Sequence, residues 1–152
     1  MKIIKRKFIK IIGLSITSLF FPINVLLATS KKLINSNLTN QQKKIMFKEG
    51  TERPYSSELL NEKRKGYYHC ANCGNKLFAS NSKFDSGTGW PSFSESLPGA
   101  FKTKTDFSFG MERVEYHCAK CGAHHGHVFN DGPRESGKRF CSNGLCLIFK
   151  PE

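Results

Sequence analysis

The sequence predicts a mainly β fold: a compact, barrel-like antiparallel β domain with short peripheral helices. Three observations lead there. From Tyr67 onward, short runs of alternating apolar and polar residues are cut at close intervals by glycine and proline, the punctuation of strands and turns. One motif, Cys-x-x-Cys-Gly, occurs at Cys70 to Gly74 and again at Cys118 to Gly122, placing equivalent turns in the two halves of that region. The length of 152 residues suits a single domain with a modest core.

The N-terminal segment stands apart. Residues 1–10 carry Lys2, Lys5, Arg6, Lys7 and Lys10 and no acid, and Ile11 to Ala28 is an uncharged, mostly apolar run of 18 residues. A basic head followed by an apolar stretch is the pattern of a secretory signal peptide or an N-terminal anchor, here residues 1–28. Pro22 and Asn24 interrupt the run and weaken it as a permanent span. Lys5-Arg6-Lys7-Phe8-Ile9-Lys10 resembles a twin-arginine export signal with lysine at the first arginine position, which implies export after folding. The expected location is the periplasm, with any membrane contact confined to this segment. The leader also accounts for part of the net charge of +12: the remaining chain holds 19 basic and 12 acidic residues, +7. That excess is compatible with solubility and does not require a nucleic-acid partner.

Residues 29–37 are polar and read as a linker to a domain spanning 38–150. Thr39-Asn40-Gln41-Gln42 has capping-box spacing and predicts a short helix ending at Gly50. Ser57 to Lys65 predicts a second, stopped by Gly66. Met111 to Cys118 alternates as a strand, with Val114, Tyr116 and Cys118 on one face and Arg113, Glu115 and His117 on the other. Leu145 to Lys150 predicts a final strand.

The two knuckles predict a metal centre. Two residues between cysteines let both sulfurs reach one ion from a tight turn, and the glycine that follows permits positive φ and leaves amides facing the thiolates. Cys70, Cys73, Cys118 and Cys121 therefore form a candidate four-cysteine zinc site, one per chain. Four protein ligands leave no open position, so the zinc is expected to be structural.

Cys141 lies outside both knuckles. A nucleophilic cysteine acts as thiolate and needs positive charge or donors nearby. Strand alternation groups it with Arg139 and Asn143. By its own segment Cys141 reads better as a buried small hydrophobe than as a nucleophile. His124, His125 and His127 change that balance, because they offer proton transfer near neutral pH. A bulge at Gly126 would turn His124 and His127 the same way. Trp90, in Gly87-Thr88-Gly89-Trp90-Pro91-Ser92-Phe93, is the only tryptophan and can wall a small apolar pocket or plug the core.

Taken together, Thr51 to Tyr55, Phe84 to Phe93, Cys121 to Pro133, Arg139 to Asn143 and both knuckles resemble the methionine sulfoxide reductase B family, over about residues 38–150. The resemblance implies Cys141 as nucleophile, with Trp90, His124, His127, Asp131, Arg139 and Asn143 lining or supporting the pocket; Phe93, in the same matching stretch, is expected to bind substrate. It implies reduction of methionine-R-sulfoxide, protein-bound or free, through a sulfenic acid on Cys141. A thioredoxin-like dithiol would restore the cysteine, and the enzyme would act as a monomer. Three departures accompany it. Thr88 stands where many members carry a resolving cysteine, His125 replaces an apolar residue, and Gly144 and Cys146 alter the segment after Asn143. Two other readings compete. An exported zinc-ribbon binding module would share the knuckles but has no use for Cys141 and its histidines. A thioredoxin-like oxidoreductase would need a βαβ pattern that the sequence lacks.

Overall fold

The computed structural model describes residues 30–152, so the leader expected over 1–28 lies outside the described residues. Helix α1 (Asn40–Lys48) opens at Thr39, whose side chain accepts from Gln42 N while the Gln42 side chain accepts from Thr39 N. This is the reciprocal cap that the spacing predicted. The helix closes at Glu49, in the left-handed conformation at φ 57°, one residue before the expected glycine. Its buried face, Ile45 and Met46, leans on the sheet.

The second helix is not formed as expected. Only a 3-10 turn, Glu58–Leu60, is present, capped by the Ser57 hydroxyl. The reason is visible in the sequence: after Leu60 no apolar residue before Gly66 can anchor further helical turns to the core.

Nine strands follow: β1 (Gly66–Cys70), β2 (Lys76–Ala79), β3 (Lys83–Phe84), β4 (Ser92–Phe93), β5 (Phe101–Asp106), β6 (Arg113–Cys118), β7 (His124–Phe129), β8 (Arg139–Ser142) and β9 (Leu147–Pro151). They form a three-stranded sheet in the order β2-β1-β9 and a six-stranded sheet in the order β3-β4-β8-β7-β6-β5, and every pairing is antiparallel. Aromatic rings close the space between the sheets. Phe78 of β2 stacks on Phe93 of β4 at 4.0 Å between centroids, and Tyr68 of β1 meets the same ring edge-on at 4.9 Å. The final strand starts two residues later than expected, because Gly144–Cys146 forms a 3-10 turn first.

In β6 the face expected to be polar is not given up to solvent. Val114, on the other face, is 43% exposed, whereas Glu115 is buried. The alternation was read correctly, but the polar face points into a site rather than into water.

Residues 30–37 are polar yet do not behave as a free linker. They lie across both knuckles. Lys32 N donates to Cys121 O at 2.9 Å. Asn72 Oδ1 accepts from Ile34 N and Asn35 N at 2.8 and 3.1 Å, and its Nδ2 donates to Lys32 O at 2.7 Å. The asparagine between Cys70 and Cys73 is thus 2% exposed, with its amide group fully engaged by this segment. Among the described residues no helix is long and apolar enough to cross a membrane.

Replacing Asn72 by alanine removes three hydrogen bonds at one buried point. At about 1 kcal/mol each, Asn72→Ala lowers stability by roughly 2–4 kcal/mol, read as a lower urea midpoint with unchanged slope.

Candidate active site and metal centre

The four knuckle cysteines converge. Their sulfurs all lie within 4.8 Å of one another. Cys70 Sγ is 3.8 Å from Cys121 Sγ, and Cys73 Sγ is 3.6 Å from Cys118 Sγ. These separations are too long for disulfides, and all four cysteines are free. They match the edge of a tetrahedron with arms of ~2.3 Å, about 3.8 Å. The turns are congruent. Gly74 and Gly122 both sit at φ 70°, and each donates its N–H to the first cysteine's carbonyl at 2.8 Å. The cluster is placed to hold a metal ion.

His125 belongs to this centre rather than to the cavity. Its Nε2 lies 3.4 Å from Cys70 Sγ. Full burial lowers its pKa to about 3, so the ring is neutral and can donate to the sulfur. This explains how a histidine is tolerated where the resemblance leads one to expect an apolar side chain.

On the other side of β7 is a cavity of about 130 Å³ lined by Thr51, Trp90, Arg113, Gly126, His127, Phe129, Cys141, Ser142 and Asn143. Sheet register makes it. His127 is directly opposite Cys141, and Gly126 is opposite Ser142. Gly126 is required by contact: a Cβ there would run into the Cys141 carbonyl. The expected bulge exists, one residue earlier than placed. His124 pairs with His117 and Gly126 with Tyr116, so His125 is the extra residue. That shift turns His124 and His127 to one side, with ring centroids 5.5 Å apart.

The two histidines are not equivalent. His127 lines the cavity and donates from Nε2 to Asp106 Oδ2 at 2.8 Å. Burial lowers its pKa, against the pull of Asp106. His124 does not reach the cavity wall. It is 1% exposed, with Nδ1 3.0 Å from Glu115 Oε1. Burial alone would raise the Glu115 pKa, but His124 and Lys104 outweigh it and lower it.

Arg139 and Cys141 share a face of β8, as alternation predicted. Arg139 is held by Asp131 in a two-pronged pair at 2.8 and 2.7 Å, and its guanidinium lies 4.4 Å from the Phe129 ring. Asp131 is itself mostly exposed and holds the Arg139 guanidinium in place. Burial pushes the Cys141 thiol up, while Arg139 and the Thr88 hydroxyl pull it down. Burial wins, so without substrate the thiol is not the ready thiolate that its neighbours suggested. Asn143, just past the strand, reaches the cavity edge and is tied down on two sides: Nδ2 donates to His125 O at 3.1 Å and Oδ1 accepts from Glu52 N at 2.9 Å.

Phe93 is placed elsewhere. It is fully buried against Phe78 and Tyr68 and forms core, not cavity wall. A strand two residues long sends Ser92 and Phe93 to opposite faces, and the phenyl ring takes the core side.

Two residues went unnoticed as individuals. Glu52 is 3% exposed and binds at four points. Its carboxylate accepts from Gly144 N and from Leu145 N (3.0 Å), its N–H donates to Asn143, and its carbonyl accepts from Trp90 Nε1 at 3.1 Å. Gly144 allows this close approach, since a Cβ there would strike Ser57. Glu115 is the other, hidden as a polar position of an ordinary alternating strand. No signal in the chain marked it, because what makes it special is the His124 ring brought by β7.

Comparison with known proteins agrees with this geometry. The SelR domain matches residues 38–151. A peptide methionine sulfoxide reductase MsrB of Methanosarcina barkeri is 49% identical over 116 residues, 76% of this chain and 82% of that protein. One of Pseudomonas putida is 50% identical over 115 residues, 75% of this chain and 86% of that protein. The mitochondrial methionine-R-sulfoxide reductase B3 of Mus musculus is 45% identical over 123 residues, 80% of this chain and 49% of the mouse protein. With one family matched from Leu38 to Pro151, and with the motifs that carry the likeness gathered at one cavity and one sulfur cluster, the chain belongs to the SelR-domain family of methionine sulfoxide reductases B.

Proposed function

We propose that the protein reduces methionine-R-sulfoxide to methionine, with Cys141 as nucleophile. The observation that carries this reading is the cavity: a free thiol, a histidine directly opposite it and an indole border a space of about 130 Å³, room for roughly four waters at ~30 Å³ each. A methylsulfinyl group has three non-hydrogen atoms and fits. Trp90 and Phe129 provide apolar walls for the methyl group. Neither a nucleic-acid module nor a purely structural zinc ribbon has a use for this enclosed thiol.

The step balances within the site. The Cys141 sulfur attacks the sulfoxide sulfur, the S–O bond to the substrate breaks, and the oxygen ends on Cys141. The proton that Cys141 brings is passed through His127 to that oxygen. Thiol and sulfoxide become sulfenic acid and thioether, with no proton gained or lost. Asp106 orients His127, and Arg139 stabilises the charge that develops on the sulfur. His124 supports from behind, through its contact with Glu115.

Regeneration is proposed to be external. Cys146 is fully buried and its thiol is pushed well up by burial. It faces the core, so it is a packing residue rather than a resolving one. Two thiols of a thioredoxin-like partner reduce the sulfenic acid to thiol and water and leave as a disulfide. The metal is proposed to be zinc, held by Cys70, Cys73, Cys118 and Cys121 in a closed, structural site. We further propose that residues 1–28 export the protein to the periplasm, on the strength of their basic head and apolar run. Oxidised proteins of that compartment would then be the substrates, and the enzyme would act as a monomer.

The decisive experiment is a reduction assay on both sulfoxide epimers with a dithiol. Wild type turns over the R epimer. Cys141→Ser abolishes turnover and retains metal; near-wild-type activity in that variant would refute the assignment. Mass spectrometry after one turnover without reductant finds sulfenic Cys141 and no bridge to Cys146.

The pH profile is predicted from the two shifts. The productive state holds one mobile proton between His127 and Cys141. His127 titrates below its ordinary value and Cys141 above its own. Activity is lost in acid only as pH falls through the lowered His127 value, and in alkali only as pH rises through the raised Cys141 value. The plateau of kcat/KM is therefore wider than an unperturbed imidazole–thiol pair would give. For the metal, Cys73→Ser or a strong chelator unfolds the domain instead of merely slowing it, followed by circular dichroism with zinc analysis.

A further inference from the structure

Thr51, Trp90 and Asn143 come from separate segments of the chain and border one cavity. Glu52 joins them. It follows Thr51 directly, its N–H donates to Asn143 Oδ1 at 2.9 Å, and its carbonyl accepts from Trp90 Nε1 at 3.1 Å. Glu52 itself does not line the cavity. Its carboxylate reaches the turn after β8, where it accepts from Gly144 N and from Leu145 N (3.0 Å). That turn is a firm support. Gln42 Nε2 of α1 donates to Leu145 O at 3.0 Å, and Cys146 N donates to Asn143 O at 3.0 Å. Asn143 is in turn bonded to His125 O through both its backbone and its side-chain nitrogen. Glu52 is 3% exposed, so water hardly competes for these bonds.

An indole has a single polar atom, the Nε1–H donor. Its apolar faces pack without directional preference. The bond to the Glu52 carbonyl therefore sets how the Trp90 ring is turned in the cavity wall.

We propose that Glu52 is a positioning residue for substrate binding: its carboxylate, fastened to Gly144 and Leu145, fixes the carbonyl that holds the Trp90 indole, and so sets the apolar wall relative to the strand bearing Cys141. The proposal rests on the reading of this cavity as the methionine sulfoxide site. Without the carboxylate anchors, the peptide unit after Glu52 can tilt about the remaining bond to Asn143, and its carbonyl leaves the indole N–H. The methyl group of the substrate keeps its bonds throughout the reaction. A wall that packs on it thus holds sulfoxide and transition state about equally, and losing its alignment raises KM while leaving kcat nearly unchanged.

The test is made on the full, metal-loaded protein with methionine-R-sulfoxide and a dithiol. Glu52→Gln keeps the volume, but its amide offers one acceptor oxygen where Gly144 and Leu145 both donate, so one buried N–H is left facing a donor. KM rises about tenfold and kcat stays within about twofold of wild type, the scale of one lost hydrogen bond. Glu52→Asp, which keeps the charge and falls a methylene short, gives the same split. Trp90 is the only tryptophan, so fluorescence reports its ring directly. In both variants the emission maximum moves to longer wavelength, while far-UV circular dichroism and metal content match wild type. Trp90→Phe keeps an aromatic wall and removes the N–H. It raises KM by itself, and in that background Glu52→Gln adds less than about twofold, because the contact through which Glu52 acts is already gone. A role in stability alone would leave the two effects multiplicative. An unchanged KM or unchanged emission in the Glu52 variants, or multiplicative effects in the double variant, overturns the proposal. Failure of the underlying reading looks different: wild type then turns over no R sulfoxide, the emission shift still appears, and the assigned role falls with the reading.

Discussion

The convergence of four sulfurs is the constraint on which the rest of the molecule depends. Cys70 ends β1 in the three-stranded sheet, and Cys118 ends β6 in the six-stranded one. Bringing their knuckles within 4.8 Å fixes the two sheets against each other at one edge of the core. The aromatic stack of Phe78 on Phe93 then fills the space behind. The segment over residues 30–37 closes the arrangement by hydrogen bonding to both knuckles, through Asn72 on one and Cys121 on the other. Four sulfurs this close together, on two congruent turns, are placed to hold a metal ion between the sheets.

From that centre a short line of contacts leads to Cys141, the proposed nucleophile. His125 touches Cys70 through its ring and holds Asn143 through its carbonyl, which accepts from both the backbone and the side-chain nitrogen of that residue. Asn143 meets Glu52, and Glu52 holds Trp90 and the turn after β8. Each end of the segment that carries Cys141 is therefore attached to something rigid. Arg139 is clamped by Asp131 before Cys141, and Asn143 is clamped by His125 and Glu52 after it. A site that must attack a small sulfoxide in a small cavity needs this, since a nucleophile displaced by an ångström loses much of its effective concentration.

Much of this was legible from residue types and spacing. The metal ligands follow from two local motifs, because a Cys-x-x-Cys-Gly turn is built by its own backbone and needs no distant help. The α1 cap was readable for the same reason. The grouping of Cys141 with Arg139 followed from strand periodicity, and His127 was one of a cluster of three histidines that could move a proton. Failures came where the outcome depended on what packs alongside. Ser57 to Lys65 has residues compatible with a helix but nothing apolar to dock it. Phe93 had the right neighbours in sequence for a binding wall, yet its ring faces the core. His124 was grouped with His127, and the bulge at His125 does turn them together, but only His127 borders the cavity.

By itself, then, the sequence determined the chemistry available: four thiolates for a metal, one separate thiol, imidazoles that can move a proton, and an indole on a glycine-rich loop. These follow from side-chain type and short spacing, which no fold can change. Tertiary structure alone decided which groups meet. The pairing of His127 with Cys141, the four contacts of Glu52 and the burial that raises the Cys141 thiol all depend on residues from different strands or loops. Each arises from β-sheet register, in which a shift of one residue turns a side chain from one face to the other, and register is set by the whole set of partners rather than by any one strand.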